Sequence, residues 1–284
     1  MKHPCNNYYN QFSGNPAIAP QLASAEVALN DPPVAVLNLH GRGPVVLICE
    51  HASRFIPDPF DALGLSAQDQ LRHIAWDIGA LGLASELSAM LDAPLVHATY
   101  SRLLLDLNRP IDAVDSIVET SEGTVIPGNV GIAPSQRELR QRRIYAPFHA
   151  ELDALVDRRI ASGLPTCVVS IHSFTPRYHG VDRPWHIGVI SRSDRSLADA
   201  LLAALRAEPG LCIGDNLPYG PQDGVYHSLE RHGEARGLRG AMIEVRNDLL
   251  DDADSRKRWA QTLRRVLESA LREISTTSGL ARNQ

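Results

Sequence analysis

Apolar residues fall along this chain in two alternating patterns. Short, nearly unbroken runs, Val45-Val46-Leu47-Ile48-Cys49, Cys167-Val168-Val169-Ser170-Ile171, Ile187-Gly188-Val189-Ile190 and Met242-Ile243-Glu244-Val245, read as strands buried on both faces. Leu95-Val96 and Leu103-Leu104-Leu105 read as shorter ones. Between them the spacing changes: Leu81, Leu83, Leu87 and Leu91 recur at helical intervals, and Ser66 with Asp69 three residues later resembles a helix start. Ser135-Gln136-Arg137-Glu138 has capping-box form and opens a long helix that turns Leu139, Phe148, Leu152 and Leu155 inward. Amphipathic helices follow near 195–207 and 253–274. The alternation predicts an α/β fold in three layers, helices on both faces of a mostly parallel or mixed central sheet, with a site at the carboxyl ends of its strands. Residues 31–284 form one domain in this reading, and residues 1–30, rich in Asn, Gln, Pro, Ala and Ser, form a partly disordered leader.

Composition narrows the function classes. With 44% hydrophobic and 21% charged residues the 284-residue chain is an ordinary globular one. The net charge is -5, with 28 Lys and Arg against 33 Asp and Glu, and no basic run interleaves with aromatics, so nucleic acid is not the expected partner. No stretch reaches the roughly 18 to 20 apolar residues of a membrane span, and the first residues lack a secretory hydrophobic segment. The expected location is the cytoplasm, without a membrane partner. Cys5, Cys49, Cys167 and Cys212 form no Cys-x-x-Cys pair, which argues against a disulfide framework or a thiolate zinc site. Nothing in the pattern fixes an oligomeric state.

The chemistry gathers where strands end. Two buried runs each deliver a histidine, His51 and His172, and two such imidazoles converging at one sheet edge suit a divalent metal ion, with a carboxylate as third ligand and an open fourth position. The third ligand is either Asp77, whose plainer role is a helix cap, or Glu50, which shares the metal with its neighbour His51 only if the chain turns there. Glu244 places a carboxylate in another strand, where it serves as general base toward an attacking water or forms an ion pair with Arg246. In Ser101-Arg102-Leu103-Leu104-Leu105-Asp106-Leu107-Asn108-Arg109-Pro110, Arg109 with Asn108 suits a substrate carboxylate and Arg102 an oxyanion. His186 and His232 are further candidates for substrate contact, and Arg246 another. Asp215-Asn216-Leu217-Pro218-Tyr219-Gly220 reads as a turn or as a loop over the site.

Taken in order, Cys49-Glu50-His51-Ala52-Ser53, Trp76-Asp77-Ile78-Gly79-Ala80, Asp106-Leu107-Asn108-Arg109-Pro110, Ser170-Ile171-His172-Ser173-Phe174, Arg183-Pro184-Trp185-His186-Ile187-Gly188 and Ile243-Glu244-Val245-Arg246-Asn247-Asp248 resemble the N-formylglutamate amidohydrolase family, over roughly residues 43–270. That family is related to zinc carboxypeptidases and aspartoacylases, so the resemblance implies a zinc-carboxypeptidase-like fold and one zinc ion per chain. It implies His51 and His172 as zinc ligands, Glu244 as catalytic base and Asn108 with Arg109 as the grip on a substrate carboxylate. Carboxypeptidases and aspartoacylases place a ligand glutamate three residues after the first histidine. Here that residue is Arg54, which cannot bind zinc, so the third ligand comes from elsewhere. Better-known formylglutamate hydrolases resemble Pro-His-Ser-Gly where this chain has Glu50-His51-Ala52-Ser53, so the resemblance implies Asp77 over Glu50.

The function the resemblance implies is zinc-dependent hydrolysis of N-formyl-L-glutamate or a similar short N-acyl amino acid, a small-molecule substrate. A related deacylase or carboxypeptidase-like peptidase acting on a larger amide shares the same chemistry. A non-catalytic module of the same fold, holding a carboxylate through Arg102, Asn108 and Arg109, is the reading from another class.

Overall fold

A computed structural model describes residues 31–281, with side chains through 276, so the expected leader lies outside the described residues. In chain order the strands are β1 (Val34–Leu37), β2 (Val45–Cys49), β3 (Leu95–Ala98), β4 (Thr120–Ser121), β5 (Thr124–Val125), β6 (Cys167–Phe174), β7 (Arg177–Tyr178), β8 (Val181–Asp182), β9 (Ile187–Ile190), β10 (Ile213–Asp215) and β11 (Gly240–Arg246). The helices are α1 (Ala80–Leu91), α2 (Pro134–Arg140), α3 (Ala146–Ala161), α4 (Ser196–Arg206), α5 (His227–His232) and α6 (Ala253–Ala281). Seven strands form one sheet in the order β1-β3-β2-β6-β11-β9-β10. The pairs β3-β2, β2-β6, β6-β11 and β9-β10 are parallel, whereas β1 and β9 run antiparallel to β3 and β11. The sheet is therefore mixed, with its three central strands parallel.

Strand alternation divides the core in two. Leu47, Val169, Ile171, Ile243 and Val245 pack against α1, α4 and α6, while Val46, Ile48, Val168 and Met242 pack against α3, α5 and the loops around Phe60 and Leu103–Leu107. Successive strand side chains point to opposite faces, so Ser170, His172 and Phe174 follow Val168 to the α3 side and Glu244 follows Met242. Two layers of helix over one sheet bury these runs on both faces, which is why they read as continuous apolar stretches.

Local differences have local causes. Leu103-Leu104-Leu105 is fully buried, yet it forms turns and not a strand, because burial alone produces an apolar run whatever the backbone does. Ser66 does bond Asp69, Oγ to Oδ2 at 2.7 Å, but only a short 3-10 turn, Asp69–Leu71, follows. The helix expected to open at Ser135 starts at Pro134, whose missing N–H suits a first turn, and Ala133 is its cap residue. One π turn, Gln141–Tyr145, joins α2 to α3, so Phe148, Leu152 and Leu155 face inward as the spacing predicts.

Among the described residues no helix is long and apolar enough to cross a membrane. Cys49 and Cys167 are buried free thiols and Cys212 is an exposed one.

Candidate active site

The carboxyl ends of β2, β6 and β11 lie side by side. His51 follows β2 at its tip, while His172 and Glu244 stand directly opposite one another in the register of β6 and β11. Asp77 reaches them from the loop before α1. Its backbone N–H bonds the His51 carbonyl at 2.9 Å, and the chain enters the helix through Gly79 at φ 80°, a left-handed conformation that glycine adopts without strain. The Asp77 side chain does not cap α1, whose cap residue is Gly79.

Its carboxylate instead gathers the site. Asp77 Oδ2 lies 2.7 Å from His172 Nδ1 and 3.5 Å from His51 Nδ1, and Oδ1 lies 3.5 Å from Arg102 Nη1. Each imidazole is backed on its far side by another carboxylate. His51 Nε2 contacts Asp106 Oδ1 at 2.7 Å, and His172 Nε2 lies 3.1 Å from Glu50 Oε2 in an ion-pair contact, while Glu50 Oε2 accepts a hydrogen bond from Ser170 Oγ at 2.7 Å. Arg102 Nη2 donates to the other Asp106 oxygen at 2.5 Å. Glu50 therefore stands behind His172, outside the His51, Asp77 and His172 group, whose donor atoms all lie within 4.8 Å of one another.

This buried group can hold a metal ion. His51 Nδ1 is buried with no hydrogen-bond partner, although it points toward the Asp77 carboxylate. An imidazole nitrogen and a carboxylate buried this close together favour a cation, either a proton on the ring or a metal ion between them. Carboxylates behind both imidazoles would orient their rings and raise their basicity, an arrangement common around metal-bound histidine.

The electrostatics agree. Burial alone would push Glu50 up, but His172 and His51 hold it ionised, down to about 2. Burial likewise opposes ionisation of Asp77, and His51 and His172 overcome it, holding the group well below the usual carboxylate range. Glu244 goes the other way: burial is the main cause, Asp77 adds to it, and the group is raised to about 7. One Glu244 oxygen has no hydrogen-bond partner. Three carboxylates within one small volume thus have separate protonation behaviour, two locked as anions and one poised to exchange a proton near neutral pH.

Above these groups opens a cavity of about 420 Å³, lined among others by His51, Asp77, Arg102, Arg109, His172, Tyr219 and Glu244. Arg109 Nε is held by Asp115 at 2.8 Å, and both residues line the cavity. Asn108 also lines the wall, but its amide is spent internally: Nδ2 donates to the Val225 carbonyl at 2.6 Å and Oδ1 accepts from Ser228 N at 3.0 Å. It fixes the turn beside Arg109.

Three expected substrate contacts do not line the cavity. His186 Nδ1 accepts from the Cys212 N–H at 2.9 Å, and Arg246 Nε pairs with Asp248 at 2.8 Å, not with Glu244. His232 is fully buried between His149 and Asp153, at 2.7 and 2.9 Å, and burial lowers it to about 4. Asp106, Ser170 and Arg183, present in the sequence motifs without an assigned role, support the site through hydrogen bonds, and Tyr219 of the loop expected over the site lines the cavity. Asp106 carried one readable signal, its position four residues after Arg102.

A family model described as N-formylglutamate amidohydrolase matches residues 43–250 of the chain. The chain belongs to this family. The crystal structure of a gene product from Agrobacterium tumefaciens is similar over 86% of this chain and 97% of that one, at 41% identity and a TM-score of 0.85. That of an N-formylglutamate amidohydrolase from Ralstonia eutropha covers 86% of this chain and 100% of its own at 18% identity and a TM-score of 0.66, a likeness of fold. No curated protein sequence matches the chain. In this family member the mixed sheet predicted from the apolar runs is present, and the motifs that carried the resemblance fall mostly at the cavity.

One glycine is required by the way this wall is built. Gly188 lies opposite Glu244 in the sheet, and a Cβ there would sit 2.0 Å from the Leu217 carbonyl oxygen, two residues before Tyr219. Gly188→Ala should therefore lower stability by about 1–3 kcal/mol, as overpacking does, and reduce turnover by displacing the Tyr219 loop. Thermal unfolding with parallel kinetics checks this; an unchanged melting temperature would show that the loop gives way without cost.

Proposed function

We propose that this chain is a zinc-dependent amidohydrolase that cleaves the carbon–nitrogen bond of N-formyl-L-glutamate or a similar short N-acyl amino acid. The observation that carries the reading is the juxtaposition of the buried His51, Asp77 and His172 donors with Glu244, whose protonation midpoint lies at about 7. Family membership supports it. Two imidazole nitrogens and one carboxylate oxygen suit zinc, and three protein ligands leave room for a reacting group. When bound, such an ion supplies Lewis acidity, polarising a carbonyl and making water more acidic.

The chain's own residues supply the rest. Arg109 binds the substrate carboxylate through its guanidinium and sets the amide over the site. Glu244 takes a proton from the attacking water as the new carbon–oxygen bond forms, then gives it to the amine nitrogen as the carbon–nitrogen bond breaks. Formate and free glutamate are the products. Arg102 offers its remaining N–H groups to the carbonyl oxygen as negative charge develops there. Asp106 holds Arg102 and His51 in place together, so one carboxylate sets the position of two working groups.

The test couples elemental analysis of freshly purified protein to formate release from N-formyl-L-glutamate, with and without chelation and zinc return. About one zinc per chain with chelator-sensitive formate release is the expected result. Zinc without formate release would leave the hydrolase chemistry and overturn the formyl substrate. No metal and no turnover after zinc addition would overturn the reading as a whole.

A further inference from the structure

Arg183 is a cation kept almost out of water behind the aromatic wall of the cavity. It is 9% exposed, and its guanidinium carbon lies 4.5 Å from the ring centre of Tyr178, 4.6 Å from that of Tyr219 and 5.9 Å from that of Phe174. All three aromatic residues line the cavity. The ion pairs of Arg102 and Arg109 already satisfy part of their charge, but Arg183 Nη1 instead donates to the Tyr219 hydroxyl oxygen at 2.8 Å.

That bond fixes where the Tyr219 proton can go. A guanidinium only donates, so the tyrosine oxygen is the acceptor and its own proton must point elsewhere. Among the described residues the hydroxyl has no other hydrogen-bond partner, and Tyr219 lines the same cavity as Glu244 and Arg102, both of which act on it electrostatically. Burial is the main cause that raises the phenol, to about 12, so it keeps its proton at working pH. A cation donating to the oxygen polarises the O–H and strengthens it as a donor.

We infer that Tyr219 is a further catalytic residue of the hydrolase proposed above, its hydroxyl donating a hydrogen bond to the carbonyl oxygen of the scissile amide, with Arg183 as the residue that positions and polarises it. The carbonyl oxygen takes on negative charge when water adds to its carbon. Tyr219 shares that charge with Arg102 through a hydrogen bond and keeps its proton, so it adds no proton transfer to the one that Glu244 carries from water to the amine. Because this rests on the hydrolase reading, its test includes a measurement that does not need turnover.

Tyr219→Phe removes one oxygen from a half-buried ring and leaves the stack over Arg183 intact. With N-formyl-L-glutamate, kcat should fall about 10²-fold or more, the usual cost of losing one oxyanion donor, with KM within about threefold of the parent. Melting temperature and zinc content should not change. Arg183→Met should lose about tenfold in kcat, and the double variant should be no slower than Tyr219→Phe alone, since Arg183 acts through the hydroxyl. Additive losses would make Arg183 a structural residue and overturn its part.

A phosphonate analogue of the N-acyl substrate, which carries tetrahedral oxygens where the oxyanion forms, should bind Tyr219→Phe more weakly by the same factor as kcat falls, while glutamate binds both proteins alike. If kcat is retained, or only KM rises, Tyr219 is part of the wall and the inference fails. If the parent protein hydrolyses no N-acyl amino acid, the hydrolase reading fails and the catalytic role falls with it. Phosphonate binding then tests only the donor geometry: a loss of tenfold or more in Tyr219→Phe upholds Tyr219 as a hydrogen-bond donor to a bound oxyanion, and equal affinity overturns that as well.

Discussion

Replacing Glu244 by glutamine should reduce turnover by about 10²- to 10⁴-fold, the range for loss of a general base, while making the metal-free protein more stable at alkaline pH. The two effects have one cause. Glu244 is 4% exposed, burial is the largest influence on it, and its folded midpoint of about 7 lies above the ordinary carboxylate value of 4.5. Below pH 4.5 the carboxyl is protonated in folded and unfolded chains alike, so it imposes no penalty. Between 4.5 and about 7 the folded protein holds a proton that the unfolded chain has released, and stability falls as pH rises. Above that window the folded state carries a buried anion that destabilises it by about 3 kcal/mol at most.

Glutamine keeps the shape and never ionises. Chemical denaturation of chelator-treated parent and Glu244→Gln proteins should give nearly equal stabilities at pH 4.5 and a gap in favour of the variant at pH 8. A gap of the same size at both values would mean that packing, not charge, separates them. Near-normal turnover by the metal-loaded variant would remove Glu244 from the mechanism.

Such a buried carboxylate is legible in sequence because a lone acid inside an apolar strand contradicts its surroundings. Met242-Ile243-Glu244-Val245 shows that conflict, as do the apolar runs that end in Glu50-His51 and Ile171-His172. The fold was legible for the same reason, since buried strands and amphipathic helices differ in period. Leu103-Leu104-Leu105 shows the limit: an apolar run reports burial, and these residues pack under the cavity as turns.

The rest depended on partners far away in the chain. Asn108 looks the same in sequence whether its amide meets a substrate or, as here, the backbone at Val225 and Ser228, more than a hundred residues on. His232 could not be told from a site histidine until Asp153 and His149 were seen to enclose it. Arg183 and Tyr219 are 36 residues apart, and only the fold stacks them. Polar residues that act on distant neighbours leave no local period to read.

The proposed third metal ligand, Asp77, was the least legible feature, and it yields the second large expected effect. Asp77→Asn should abolish stoichiometric zinc binding, weakening it by more than the roughly 10- to 100-fold that loss of a supporting carboxylate costs. Asp77 Oδ2 sits between the two inward-facing imidazole nitrogens, 2.7 Å from one and 3.5 Å from the other, so an amide there removes both the anionic donor and the charge that favours a cation. Glu50→Gln should act through His172 alone, because Glu50 touches the ring's far nitrogen and Ser170.

Zinc titration of chelator-treated proteins separates these roles, and thermal shift gives an independent reading because a ligand that binds only the folded state raises stability with its concentration. The parent should gain several degrees with micromolar zinc, Glu50→Gln should need about 10 to 100 times more for the same shift, and Asp77→Asn should show none. If Asp77→Asn keeps full zinc while Glu50→Gln loses it, the third ligand is Glu50, and the Asp77 carboxylate serves to align the two imidazoles.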